Sequence, residues 1–152
     1  MAEQIARPSV DTIIGGYTDQ SDGTTNIYQR IDEVVADDGD YIRSRLSPIN
    51  DPYVTKLSTL VAPPTNAGHI IRYRYARKPD SADQLDLFVQ LRKSYVDEDD
   101  RGLLIKEWTH ALVGETFTTA EQTLSEAEAT DITDYDDLVL RFVFNIAGVP
   151  IP

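Results

Sequence analysis

Few side chains of this sequence have the types and spacings that chemistry requires. The only two histidines, His69 and His110, lie far apart, each inside or at the end of a predicted strand, where a single histidine is more often packed or solvated than a ligand. There is no cysteine, which excludes thiol catalysis, thiolate metal sites and disulfides. No GxSxG, HExxH, GxGxxG or phosphate-loop pattern occurs. We therefore predict no catalytic residue, cofactor or metal ligand, with a catalytic carboxylate pair as an open alternative.

Three acidic segments nevertheless offer oxygen ligands for calcium: residues 19–23 (DQSDG), 37–40 (DDGD) and 97–100 (DEDD). None has the spaced Asp/Asn pattern and closing Glu of an EF-hand loop. We interpret all three as solvated turns, and a structural calcium ion at a strand edge is the alternative.

Aromatic residues form the other candidate site, because aromatic rings stack on the apolar faces of sugars. The residues that could line such a platform are Tyr53, Tyr73, Tyr75, Tyr95 and Trp108. With only four phenylalanines in the chain, we favour the interpretation that Trp108 and Tyr73 belong to the core.

The formal net charge of −12 argues against a nucleic-acid partner, since phosphate binding depends on cationic side chains. The charge is uneven, and the central stretch holds a local group of basic residues: Arg72, Arg74, Arg77, Lys78, Arg92 and Lys93. The favoured interpretation is a solvated sheet face with its own ion pairs. The alternative is a docking surface for an acidic partner.

The stretch His69–Lys93 organises the predicted fold, because two runs of residues in it alternate with period two, which is typical of half-buried strands. The apolar faces of the two runs are Ile71, Tyr73 and Tyr75, and Leu85, Leu87, Val89 and Leu91. The turn-forming segment 78–81 (KPDS) between the runs predicts an antiparallel hairpin, with Arg74 opposite Asp86.

Further strands are predicted at Tyr41–Ser44, Tyr53–Val61, Leu103–Leu112, Thr116–Leu124 and Leu138–Ala147. Ser125 and Glu128 form a capping-box pattern that predicts one short helix near 125–131. About eight short strands with Pro/Gly-rich turns indicate an all-β, antiparallel β-sandwich of jelly-roll type. Residues 27–152 are expected to form this single domain, although Ile27–Val35 fits a short helix as well as a strand.

Residues 1–26 are polar and irregular, and predict an extended N-terminal arm with one short strand. The arm could lie on a neighbouring subunit or close the sheet of its own domain. The N-terminal residues lack the apolar centre of a signal peptide, and no apolar run approaches membrane-spanning length. We expect a soluble protein made in the cytoplasm.

Short segments along nearly the whole chain carry a resemblance. They are Arg7-Pro8, Gly15-Gly16-Tyr17-Thr18, Ile27-Tyr28, Ile31-Asp32-Glu33, Asp37-Asp38-Gly39-Asp40-Tyr41-Ile42, His69–Tyr75, Trp108-Thr109, Thr123-Leu124-Ser125, Ile132-Thr133-Asp134-Tyr135, Asp137-Leu138 and Leu140-Arg141-Phe142. In these segments the sequence resembles small β-sandwich virion proteins of tailed bacteriophages and prophages. The resemblance implies a jelly-roll sandwich, similar to carbohydrate-binding modules, on a phage particle, and it transfers no catalytic residue.

The resemblance implies a structural virion protein, for which we expect the role of a capsid decoration or cement protein, and the lack of a catalytic motif predicts that it is not an enzyme. Its expected location is the capsid surface after synthesis in the host cytoplasm. Its expected partners are the major capsid protein and copies of itself as a homo-oligomer, with no nucleic acid and no membrane. The predicted contact residues are Ile5, Arg7, Val10, Ile13 and Ile14 of the arm, together with the six basic residues named above. The alternative function is a carbohydrate-binding module that adheres to glycans.

Overall fold

A computed structural model describes residues 3–79 and 81–152, and over these residues the chain forms nine strands and one α-helix. The strands are β1 (Pro8–Ile13), β2 (Thr18–Asp19), β3 (Ile42–Arg43), β4 (Asp51–Leu57), β5 (Ile70–Tyr75), β6 (Leu85–Lys93), β7 (Leu103–His110), β8 (Thr118–Thr123) and β9 (Leu138–Ile146). The helix α1 is Glu126–Thr130, and a 3₁₀ helix, Ile27–Arg30, follows β2.

The strands form two layers. One layer is a five-stranded sheet in the order β1-β4-β9-β6-β7, and the other consists of the pairs β5-β8 and β2-β3. All strand pairs are antiparallel, and β4 with β9, β5 with β8 and β6 with β7 form a nested series. This nested pairing is the winding of a jelly roll, so the predicted all-β, sandwich-like fold is confirmed.

The predicted central hairpin is wrong. β5 pairs with β8, and β6 lies in the other layer between β7 and β9, so β5 and β6 belong to different layers. Asp80 of the predicted turn 78–81 lies outside the described residues. The guanidinium of Arg74 contacts the Asp38 carboxylate instead of Asp86. Asp86 accepts hydrogen bonds from the backbone N–H groups of Leu112 and Gly148, at 2.9 and 3.0 Å.

The predicted apolar face of β6 is confirmed, since Leu85, Leu87, Val89 and Leu91 are all buried in the core between the layers. We call this side of the five-stranded sheet the inner face. The predicted face of β5 also holds, because Tyr73 is buried in the same core while Arg72 and Arg74 are exposed.

The centre of the opposite, outer face is buried as well, although its residues include polar ones. The side chain of Arg141, at the centre of β9, is only 1% exposed, and its guanidinium binds Glu98 through Nε–Oε2 and Nη2–Oε1 distances of 2.9 and 2.5 Å. Tyr95 donates a third hydrogen bond to Glu98 Oε2 at 2.7 Å. Asn145 is enclosed by the Asn50 turn and by Val149 of the C-terminal segment.

The short helix lies where the sequence predicts it. Ser125 Oγ accepts from the Glu128 backbone N–H at 3.1 Å, and the Glu128 carboxylate accepts from the Ser125 N–H at 2.9 Å. Both bonds satisfy backbone donors that the first helical turn leaves unpaired. At five residues, α1 is the longest helix of the described chain, so no helix there has the length to cross a membrane.

The N-terminal segment closes the sheet of its own domain, which was one of the two alternatives. β1 runs antiparallel to β4 along the edge of the five-stranded sheet. The Asp11 carboxylate of β1 accepts hydrogen bonds from the N–H groups of Ile27 and Tyr28, and from the Tyr53 hydroxyl. These bonds fix the 3₁₀ helix, and no helix or strand extends from it to Val35.

Candidate functional site

An open cleft enters the sandwich between the two parts of its second layer. The β5-β8 pair packs on one half of the inner face, and the 3₁₀ helix with β2-β3 packs on the other half. The space between them is about 1530 Å³, which exceeds the usual volume of a small-molecule pocket. Apolar residues of the five-stranded sheet form its floor: Leu57, Leu87, Leu140, Phe142 and Phe144.

The walls of the cleft are strand β5 and the segment 31–48, which is irregular apart from β3. Among the described strands β5 pairs only with β8, so its other edge has no strand beside it. The two walls are joined by the Arg74–Asp38 ion pair, with an Nη2–Oδ2 distance of 2.7 Å, and by the Tyr41 and Phe117 rings. These polar and ring contacts connect the walls, while the floor below them remains apolar.

Exposed apolar side chains surround the mouth of the cleft. They are Ile5, Val34, Leu46, Val61 and Ile70, and we call this set the apolar rim. Val34 and Leu46 are each 83% exposed and Val61 is 69% exposed. Five large apolar side chains exposed along one cleft make it a candidate interaction surface.

Charge is also distributed differently in the cleft than elsewhere. Eight of the 14 basic residues line the cleft. Of the 25 acidic residues that the structure describes, only seven line it. The rest of the described chain is left with six bases and 18 acids. The cleft is therefore a nearly neutral region on a strongly acidic protein.

Histidine–tyrosine hydrogen bonds hold β5 at both ends. His110 Nε2 is 2.6 Å from the Tyr73 hydroxyl, and its Nδ1 is 3.0 Å from the Tyr75 hydroxyl. At the start of β5, His69 Nε2 is 2.6 Å from the Tyr135 hydroxyl. Burial lowers the pKa of the His110 imidazole and raises the pKa of the Tyr73 hydroxyl to about 12. Both groups are therefore neutral near pH 7.

The five residues predicted for a sugar platform do not share one surface. Tyr53 and Tyr73 are buried in different core clusters, and Trp108 packs half-buried against the core beside Val89. Tyr95 lies on the outer-face network with Glu98. The favoured core interpretation of Trp108 and Tyr73 agrees with this placement.

The predicted basic group is divided between two places. Arg72, Arg74, Arg77 and Lys78 line the cleft, where the three arginines form ion pairs with Glu121, Asp38 and Glu115. Arg92 and Lys93 lie at the end of β6, where Arg92 Nε donates to Gln90 at 2.7 Å and Lys93 Nζ contacts Thr133 at 3.1 Å. The ion pairs of Arg72, Arg74 and Arg77 match the favoured interpretation, but the six residues do not share one sheet face, because β5 and β6 lie in different layers.

The predicted contact residues of the arm are also divided. Ile5 belongs to the apolar rim, and Val10 is exposed on the edge strand β1. Arg7 spans the cleft end by donating from Nη1 to the Glu33 carbonyl at 2.6 Å. Ile13 is half-buried and Ile14 packs against the second core cluster, so both contribute to the domain itself.

The acidic segments use some carboxylates in local turns, but Glu98 and Asp38 bind Arg141 and Arg74, so the prediction of solvated turns holds only in part. Asp19 Oδ1 accepts from the N–H groups of Ser21 and Gly23, and Asp97 Oδ1 accepts from those of Asp99 and Asp100. The two backbone bonds lower the pKa of the Asp19 carboxyl. Over residues 3–79 and 81–152, no three His, Asp or Glu side chains are grouped as metal ligands.

Sequence reasoning predicted Ile5 as a contact residue but missed the rest of the apolar rim. Val34, Leu46 and Val61 lie in segments without regular structure, so no periodicity marks them, and the fold alone brings them together. The available signal was the presence of large apolar residues inside turn-rich, charged segments.

The fold and the cleft together define an all-β, sandwich-like protein with an open cleft that has an apolar floor. Comparisons with protein-family models, curated proteins and solved structures found no match for this chain.

Proposed function

We propose that this chain is a structural virion protein of a tailed phage, a decoration or cement protein that stabilises the capsid by non-covalent contacts. The observation that carries the proposal is the outer edge of the five-stranded sheet, where Val10 of β1 presents an exposed apolar side chain on an otherwise acidic sandwich. A protein that works by binding to other proteins needs such a surface, and a protein present in many copies gains strength from many weak contacts.

The sheet edge formed by β1 is the proposed capsid contact. β1 is the outermost strand on its side of the five-stranded sheet, and Val10 presents an exposed apolar side chain there. Pro8 and two register shifts interrupt its pairing with β4, and such irregularities discourage uncontrolled strand pairing. The edge therefore favours contact through side chains over open-ended sheet extension.

The acidic surface supports the same role. Repulsion between like charges limits association of particles that carry many copies of the protein. The ion pairs of Arg72, Arg74 and Arg77 leave little excess positive charge to attract nucleic acid.

Cryo-electron microscopy of particles from the encoding phage tests the proposal. We expect density for the sandwich on the outside of the head, and heads without the protein should open at a lower temperature. Density confined to the tail or baseplate, or no density at all, would overturn the capsid assignment.

A matched pair of variants tests the contact edge. Val10→Asp should lower the occupancy of the protein on heads, because it places a charge in the proposed contact. Leu104→Asp adds the same charge to β7, the opposite edge of the same sheet, and should bind as the wild type does. Equal occupancy for both variants would exclude β1 as the contact.

A further inference from the structure

We propose that the apolar rim is the interface of a two-fold symmetric homodimer, in which the cleft mouths of two copies face each other. The occupant of the cleft mouth is thus a second copy of this chain. This inference concerns the purified protein in solution and does not depend on the proposed virion role.

The first argument is the concentration of exposed apolar side chains. Of the twelve large apolar residues exposed in the described chain, five line the one cleft. A sixth, Val35, follows Val34 directly and is 78% exposed. Covering this cluster would remove apolar surface from water, which is the main favourable contribution to association.

The second argument is electrostatic. Two chains of net charge −12 repel each other across most orientations. The cleft is the region where this repulsion is smallest, since its lining carries eight bases and seven acids. The remaining surface, with six bases and 18 acids, offers no comparable approach.

The balance of both signs also selects the symmetry. At a two-fold interface the same patch meets itself, so a base on one copy must find an acid on the other. The cleft lining supplies exposed residues of both signs, with Lys78 just after β5 and Asp37 in the segment 31–48. A patch of one sign could not pair with itself in this way.

The rim residues are suited to a direct test, because they contribute little to the fold of one chain. Val61 and Leu46 are mostly exposed, so an aspartate at either position remains solvated in a monomer. In the dimer, each substitution occurs twice and places two carboxylates in an apolar interface. We expect at least about tenfold weaker dimerisation for Val61→Asp and for Leu46→Asp.

The experiment is sedimentation velocity of the full chain at micromolar concentrations, with circular dichroism and melting temperature to verify folding. The wild type should sediment at twice the 17.0 kDa mass of one chain. Val61→Asp and Leu46→Asp should sediment as monomers. The matched control is Val96→Asp, which adds the same charge at a 64% exposed valine outside the cleft and should stay dimeric.

Several results would overturn the inference. A wild type that is monomeric up to its solubility limit has no such interface, and a trimer contradicts the two-fold pairing. Dimers that persist in both rim variants place the interface elsewhere. Equal dissociation of Val96→Asp would assign the effect to added net charge and not to the rim.

Discussion

The two faces of the five-stranded sheet differ in burial, and the difference is the opposite of what their polarity predicts. The outer face carries Arg141, Gln90 and Asn145, yet all three are almost completely buried. The inner face carries the apolar strips of β6 and β9, yet Phe142 and Phe144 remain partly accessible through the cleft. The polar face is closed at its centre, and the apolar face is partly open.

The difference shows how each face is stabilised. On the outer face the 94–101 loop supplies Glu98 and Tyr95, which satisfy the buried guanidinium of Arg141, and a buried charge is tolerated only when it is paired in this way. On the inner face no such pairing is needed, and a two-part layer covers the sheet incompletely. The outer face thus depends on hydrogen-bond partners for its buried polar groups, and the inner face leaves apolar surface that another molecule can contact.

The largest expected effect comes from breaking the outer-face network. Glu98→Ala would leave the Arg141 guanidinium buried without its carboxylate, and we expect a loss of about 3–5 kcal/mol in the free energy of unfolding. Urea denaturation measures this loss. Asp99→Ala, in the same loop but exposed, should change the free energy by less than about 0.5 kcal/mol. Similar small effects for both variants would show that the network is dispensable.

Truncation on the inner face should have the next largest effect. Trp108 packs half-buried against the core, so Trp108→Ala should reduce the free energy of unfolding by about 3 kcal/mol, near the lower end for large aromatic residues. The exposed neighbour Thr109 provides the control, Thr109→Ala. Full stability of Trp108→Ala, combined with loss of glycan binding, would instead support the carbohydrate-binding alternative.

A smaller, pH-dependent effect is expected where β5 joins the five-stranded sheet. Burial lowers the pKa of His110 below its ordinary value of 6.5, so the unfolded chain binds this proton at a higher pH than the folded chain. Stability should therefore fall as the pH drops below about 6.5 and level off below the folded pKa. Protonation would also require both the Tyr73 and Tyr75 hydroxyls to accept hydrogen bonds from the ring.

Melting temperatures between pH 7 and pH 5 measure this effect. His110→Gln should show a shallower decline than the wild type over that range, because glutamine does not titrate. Parallel curves for the two proteins would mean that other groups cause the pH dependence. Glu98 would not be one of them: burial raises its pKa, but hydrogen bonds from Arg141 and Tyr95 outweigh burial, so it titrates at lower pH.

The smallest expected effect is at the mouth of the cleft. Val34→Asp should change the free energy of unfolding of one chain by less than about 0.5 kcal/mol, because Val34 is 83% exposed. Thermal denaturation at low protein concentration measures the monomer. A large loss would show that the rim belongs to the fold, and the contrast between the two faces would be weaker than described.

The sequence predicts single strands well and their partners poorly. Alternation identified the buried face of β6, and the Ser125–Glu128 pattern identified α1, because both signals are local. Strand pairing is not local: the turn segment 78–81 looks the same whether the chain folds back within one sheet or crosses to the other layer. Because β5 and β6 lie in different layers, the neighbours of Arg74 are Thr119 and Asp38 and not the predicted Asp86.

The candidate site was predicted only in part. The basic residues of the central stretch do line the cleft from Arg72 to Lys78, but Arg92 lies on the outer-face network because β6 is in the other layer. Burial of Arg141 could not be read from alternation, which places a charged residue of β9 toward solvent. Only the covering loop, 47 to 40 positions earlier in the chain, explains its burial.

The position of β9 has a consequence for synthesis of the protein on the ribosome. This strand separates β4 from β6 in the middle of the five-stranded sheet, yet it is the last strand to be translated. Until Ile146 has left the exit tunnel, β4 and β6 lack their shared neighbour, and their apolar side chains are expected to stay accessible to chaperones. The domain therefore folds after translation of nearly its whole length, and a nascent chain stalled before Leu138 would be a target for proteases.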